Sequence, residues 1–317
     1  MIDPQEIQLM SIFMPFATRE LLQAVGSEQR FVHYTSAPVA MSIIQKREIW
    51  MRKISCMNDY REVRHGLDLL IDNWKADNGK KLQAFLNEHH PGIVTEITDL
   101  FDGWQRDMEF STYITCVSKH HEHEDRLGRL SMWRAYGGNA GVALVVKGSS
   151  FFRTDNTIGV FSTPVAYVDG EGFSAEFARV VNGIVDNADV VLSLGRERIK
   201  GSVFNFLHFA ALGSKHPGFR EEEEWRIICS PKMHPSKFIN KSIEVVSGEP
   251  QTVYKLPLRI NEEHGVDWLE LDDILDRVII GPSVNGHAVY EAFVDLLGEE
   301  GISNPEDRVF YSDIPLR

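Results

Sequence analysis

The stretch GFREEEEWRIICSP, residues 218–231, sets four consecutive glutamates against a strand-like apolar run. Adjacent like charges repel, so such a run is either a solvated turn or a place where a carboxylate does chemistry at a strand edge. Strand alternation puts Glu222, Glu224 and Arg226 on one face and Trp225, Ile227 and Cys229 on the other. Glu224 and Glu222 are thus the candidate catalytic carboxylates. Arg226 is either their ion-pair partner or a guanidinium for binding an anion. A second constellation is FVHYTS, residues 31–36, where His33 and Thr35 share a strand face and Tyr34 lies on the other. A polar pair on an otherwise apolar strand needs a partner, either the main chain or a ligand. Asn58 follows the strand EIWMRK, which carries Arg52, and the adjacent Asp59 reads as a helix cap. In LSMWRAYGGNAG, Trp133 and Tyr136 stand three apart on a short helix. They form either core or a stacking face for a flat heteroaromatic ring. The glycines after them lead from a helix into a strand, the reverse of the dinucleotide fingerprint.

The histidines and acids of KHHEHED, residues 119–125, are metal-ligating types, and a metal-dependent hydrolase could be built on them. No HExxH motif or paired cysteine supports such a centre, and the segment reads as a solvated loop after a strand. Cys56, Cys116 and Cys229 are scattered, as expected of reduced thiols in a cytosolic protein.

Positioning these groups falls to a chain of 317 residues, 43% hydrophobic and 25% charged, which is enough for a full core. With 33 basic against 46 acidic residues the formal charge is -13, which disfavours a broad nucleic-acid or anionic-membrane footprint. The first residues, MIDPQEIQLM, lack the basic stretch and apolar run of a secretory signal, and runs such as GVALVV are too short to span a bilayer. A cytoplasmic location follows as the expectation. Strand-like segments fall at 30–35, 48–53, 111–118, 141–146, 159–168, 224–230, 252–260, 277–281 and 308–314. Helices are expected at 4–13 and 18–25, across 59–107, and across 173–212. This grouping, without strict alternation, predicts an α+β fold, one domain over 1–317 with two helical segments, closed by a late βαβ unit.

In order, HYTS, EIWMRKISCMND, MWRAYGGNAGVALVV, KHPGFREEEEWRII and VIIGP resemble the bacterial family called domain of unknown function twenty-nine seventy-one, over about residues 30–282. A His closing an early strand, an aromatic or hydroxyl group mid-chain and a Glu opening a late strand are also similar to the ADP-ribosyltransferase superfamily. That second resemblance implies a mixed, split β-sheet core with NAD, as substrate, in a cleft between half-sheets. It implies that His33 binds the adenosine-side ribose, with Tyr34 and Thr35 beside it. Trp133 or Tyr136 would stack on nicotinamide, Arg226 or Arg52 would clamp pyrophosphate, and Glu224 or Glu222 would be catalytic.

The chemistry is coherent by itself. Nicotinamide leaves as a neutral molecule, so one carboxylate that stabilises the oxocarbenium-like ribose can suffice. The acceptor would be a protein or a nucleic acid, in the setting of a toxin or defence effector. The alternative is a non-catalytic module that senses a nucleotide or binds a protein partner.

Overall fold

The computed structural model describes residues 3–56, 60–152 and 158–315. Its strands in chain order are β1 (Arg30–Ser36), β2 (Glu48–Lys53), β3 (Tyr113–His120), β4 (Gly141–Lys147), β5 (Val160–Pro164), β6 (Ala166–Tyr167), β7 (Ser214–Lys215), β8 (Glu224–Cys229), β9 (Asn240–Val246), β10 (Glu249–Pro257), β11 (Leu275–Ile280) and β12 (Val309–Tyr311). Ten of them join one mixed sheet, while β6 and β7 form a separate parallel pair.

The sheet branches at β3. One edge of β3 pairs along its length with β8, from Tyr113 opposite Cys229 to Ser118 opposite Glu224. The other edge is shared, because β1 takes Ser118, Lys119 and His120 while β2 takes Tyr113 and Ile114. One limb continues from β1 to β4, β11 and β12, and the other from β2 to β10 and β9. Strand β5 closes the far side of β8.

The helices are α1 (Pro4–Phe13), α2 (Pro15–Gly26), α3 (Ala37–Lys46), α4 (Tyr60–Lys75), α5 (Asp77–His89), α6 (Ile93–Phe110), α7 (Leu130–Tyr136), α8 (Gly170–Asp186), α9 (Ala188–Ser193), α10 (Arg196–Leu212), α11 (Leu271–Ile274), α12 (Gly286–Glu299) and α13 (Pro305–Arg308). The α+β class holds, and β11 and β12 pair in parallel around α12, giving the late βαβ unit. Local chemistry sets the helix starts. Asp3 Oδ1 accepts the Gln5 N–H at 3.2 Å, with Pro4 in the first turn of α1. Among the described residues, no helix is long and apolar enough to cross a membrane.

Period-two alternation sorts the core into two layers. On one face Phe31, Val117, Trp225 and Ile227 pack with Ile44 of α3 and Phe293 of α12. On the other, Ile114 and Ile228 pack with Leu70, Leu86, Phe177 and Val203 from α4, α5, α8 and α10. Several expectations are corrected in detail. The segment 159–168 breaks into β5 and β6, and 59–107 and 173–212 each divide into three helices over slightly different spans. Helix α3 and strand β9 have no counterpart in the sequence-based assignment.

Candidate functional site

Three of the four glutamates, Glu222, Glu223 and Glu224, are paired with cations of the fold. Glu224 opens β8 and is only 6% exposed. Its Oε1 accepts from Arg226 Nε at 2.7 Å and its Oε2 from Lys215 Nζ at 2.9 Å. Lys215 also donates to Glu222 Oε2 at 2.6 Å, and Glu223 Oε2 accepts from Arg129 at 2.8 Å. Lys215 and Arg226 are themselves buried, at 1% and 0% exposure. Burial works to raise the Glu224 carboxyl, but Arg226 and Lys215 outweigh it and hold it down at about 2. Glu224 is thus a fixed anion inside an ion-pair network. Glu222 is not on the strand as alternation implied. It ends a 3-10 turn over Pro217–Glu222, and Glu223 then takes a left-handed φ of 44° before β8 begins.

His33 stands at the fork. Between the segments taken by β1 and β2, the Cys116 carbonyl on β3 accepts from His33 Nδ1 at 2.9 Å. The imidazole thus takes a place that a third strand would fill. Burial pushes the His33 ring below its usual range despite that bond, so it is neutral near pH 7. With the proton on Nδ1, Nε2 is the acceptor His33 can offer. His33 lines an apolar cleft with a cavity volume of about 110 Å³, partly open to solvent, with Val117, Leu144, Ile158, Ile227 and Trp268. No Asp, Glu, Lys or Arg is among the described residues that line it. The hydroxyls of Ser150 and Ser162 in the same wall donate to the main-chain oxygens of Trp268 and Phe151.

The register separates the expected partners. Val32, Ser118 and Glu224 are aligned across β1, β3 and β8, so Glu224 and Arg226 share the face of Val32 and Tyr34. His33 and Thr35 point to the opposite face, with Phe31, Val117 and Ile227. The imidazole and the acidic cluster therefore do not converge on one hollow. Arg226 does not offer its guanidinium to a ligand either, since it donates to Glu224 and the Leu212 carbonyl. Arg52 lies at the other end of β3, opposite Ile114, and donates to the Cys56 carbonyl at 3.2 Å and Gln251 at 3.3 Å. Asn58 lies outside the described residues, as does Asp59.

Tyr34 and Trp133 act as a packed pair rather than an open platform. Their rings meet edge to face at 4.8 Å, and Trp133 is 6% exposed. A methyl group built on Gly128, Gly141 or Gly281 would come within 3.0 Å of the Trp133 ring, so these glycines leave room for the indole. Tyr136 is 43% exposed, and its hydroxyl lies 3.5 Å from Glu222 Oε1.

Sequence reasoning missed Arg129 and Lys215. Arg129 lies just before α7 and binds Glu124 Oε1 at 2.6 Å, while its main-chain N–H donates to the Tyr34 hydroxyl at 2.8 Å. A long-range arginine has no local spacing to betray it. In the 119–125 segment the acids serve cations of the fold: Glu124 pairs with Arg129, and Asp125 with Arg30 and Arg277. Among the described residues, no group of three or more His, Cys, Asp or Glu side chains is placed to hold a metal ion.

Residues 132–227 match the family described as Protein of unknown function (DUF2971). The DUF2971 match takes in Trp133, Tyr136 and the glutamate network around Lys215, but not His33, Tyr34, Thr35 or Arg52. It is narrower than the span of about 30–282 expected from the sequence motifs. No curated protein and no solved structure matches the chain.

Proposed function

We propose that the chain is a ligand-binding, sensing module whose ligand enters the cleft at the sheet fork and donates a hydrogen bond to His33. One observation carries this reading: a neutral imidazole with its Nδ1 proton committed to Cys116 lines an otherwise apolar cleft that opens to solvent. The ligand is a compact apolar body with one O–H or N–H donor. Indole and 1-methylindole test it, because they differ in the N–H alone. Titration into the wild-type chain is expected to favour indole about tenfold, the worth of one good hydrogen bond. In His33→Phe the preference disappears. Equal binding of the two to the wild-type chain, or no binding of either, would overturn the proposal.

A second reading, cleavage of NAD by an ADP-ribosyltransferase or glycohydrolase, draws support from the Tyr136–Glu222 contact at the surface edge of the acidic network. On this reading Glu222, with 18% side-chain exposure, is better placed than Glu224 to meet the ribose. Nicotinamide release from NAD, abolished in Glu222→Gln, is the expected result. A chain that releases none leaves the sensing reading alone.

A further inference from the structure

The helical layer contains a second hollow. Between α1, α2, α8, α10 and the β5–β6 corner lies a pocket with a cavity volume of about 90 Å³, partly open to solvent and lined by six phenylalanines: Phe13, Phe16, Phe173, Phe177, Phe206 and Phe209. Phe13, Phe173, Phe177 and Phe206 are at most 6% exposed, while Phe16 and Phe209 are half-buried. Phe177 lies 5.4 Å from Phe206 and 6.4 Å from Phe173. One carboxylate belongs to this aromatic wall. Glu176, on α8, gives one oxygen to the exposed Arg179, one turn on, while its Oε2 is buried with no hydrogen-bond partner.

A buried carboxylate oxygen without a donor is a desolvation cost that a bound N–H group would remove. Phenyl faces carry negative quadrupole charge and attract cations, as the Arg19 guanidinium 5.3 Å from the Phe16 ring illustrates. The remaining polar side chains in the wall are committed, since Ser214 donates to Ala210 and Thr163 to Pro164. The wall therefore combines a large apolar area, a π-rich surface and one unsatisfied anionic acceptor. A neutral hydrocarbon would leave Oε2 unpaired, and an anion would be repelled by it.

We propose that this pocket binds a small hydrophobic ammonium ion, a primary or secondary aralkyl- or alkylamine, with its N–H drawn to the Glu176 carboxylate and its carbon body among the phenylalanines. The site is separate from the His33 cleft and does not depend on that reading. The test compares 2-phenylethylammonium with 2-phenylethanol by calorimetric titration at neutral pH, so that shape is held constant and charge is changed. The wild-type chain is expected to bind the ammonium ion at least about tenfold more tightly, the combined effect of an ionic hydrogen bond and cation–π attraction. Glu176→Gln is expected to bring the two ligands within about twofold, and His33→Phe to leave the preference intact. Equal affinity for amine and alcohol in the wild-type chain, or binding of neither at millimolar concentration, overturns the assignment, whether or not the variant folds. A preference that survives Glu176→Gln but vanishes in His33→Phe also overturns it, because the amine would then occupy the other cleft.

Discussion

Replacing Glu224 by Gln tests whether the acidic run is structural. The substitution keeps shape but removes the charge that binds Lys215 and Arg226 inside the protein. The Glu224 carboxyl titrates at about 2 in the fold against 4.5 for the free side chain. At about 1.36 kcal/mol per pKa unit, the network stabilises the folded chain by about 3 kcal/mol through this one ionisation. Breaking a buried pair by removing one partner costs a similar amount, roughly 3–5 kcal/mol. Urea unfolding at pH 7 is therefore expected to show Glu224→Gln weaker by about 3 kcal/mol.

The pH dependence has a definite sign. The unfolded carboxyl takes up its proton first, so the contribution is complete above about pH 4.5 and is lost as pH falls toward 2. The gap between wild type and variant must narrow over that window. Arg226→Met should cost a comparable amount, and the double variant less than the sum, because the two side chains share one interaction. A Glu224→Gln protein within about 0.5 kcal/mol of wild type, with the same acid slope, would refute the network and free Glu224 for another role.

Three further outcomes are expected. His208, on α10, is 2% exposed with neither ring nitrogen hydrogen-bonded, and burial, with a smaller effect of His234, lowers it to about 4. Stability should therefore fall by about 3 kcal/mol as pH drops from 6.5 to 4, and His208→Phe should remove that slope in chemical denaturation. Burial pushes the Cys229 thiol up to about 12, whereas Cys56 is exposed, so mass spectrometry after brief treatment with a thiol reagent should find Cys56 modified and Cys229 modified only in denaturant. Gly128 has a φ of +67° beside the Trp133 ring, and Gly128→Ala should cost roughly 2–3 kcal/mol in thermal or urea unfolding.

What was legible in the sequence was local. The alternation in RFVHYTS and EWRIIC located β1 and β8, and the helical spacing in 59–107 located the apolar faces of α4 to α6. Helix α3 was also written in the chain, since Ala40, Ile43 and Ile44 repeat at helical spacing and are buried. Pro38, in the first turn, suits the start of that helix. Likewise β9 and β10 meet at the pair Ser247 and Gly248, both with positive φ, a two-residue hairpin signal.

The site was less legible because it depends on which faces meet. Alternation within β8 was right from Glu224 onward, and His33 does bond to main chain. Which side of the sheet each group occupies follows from the register of β1 on β3 and of β3 on β8, and no spacing within one strand encodes it. Lys215 and Arg129, which give the glutamates their counter-charges, are distant or unpatterned in the sequence for the same reason.

The fork has a mechanical consequence. Each limb is rooted on β3 by a short ladder, three residue pairs for β1 and two for β2, while the pairing within each limb is longer. Twisting about β3 is therefore expected to be the softest motion of the sheet, one that changes the cleft's width without breaking the longer ladders. A molecule wedged beside His33 would act as a splint between the limbs, slowing amide exchange at both roots together, near Val32 and near Arg52, although the two lie on separate strands.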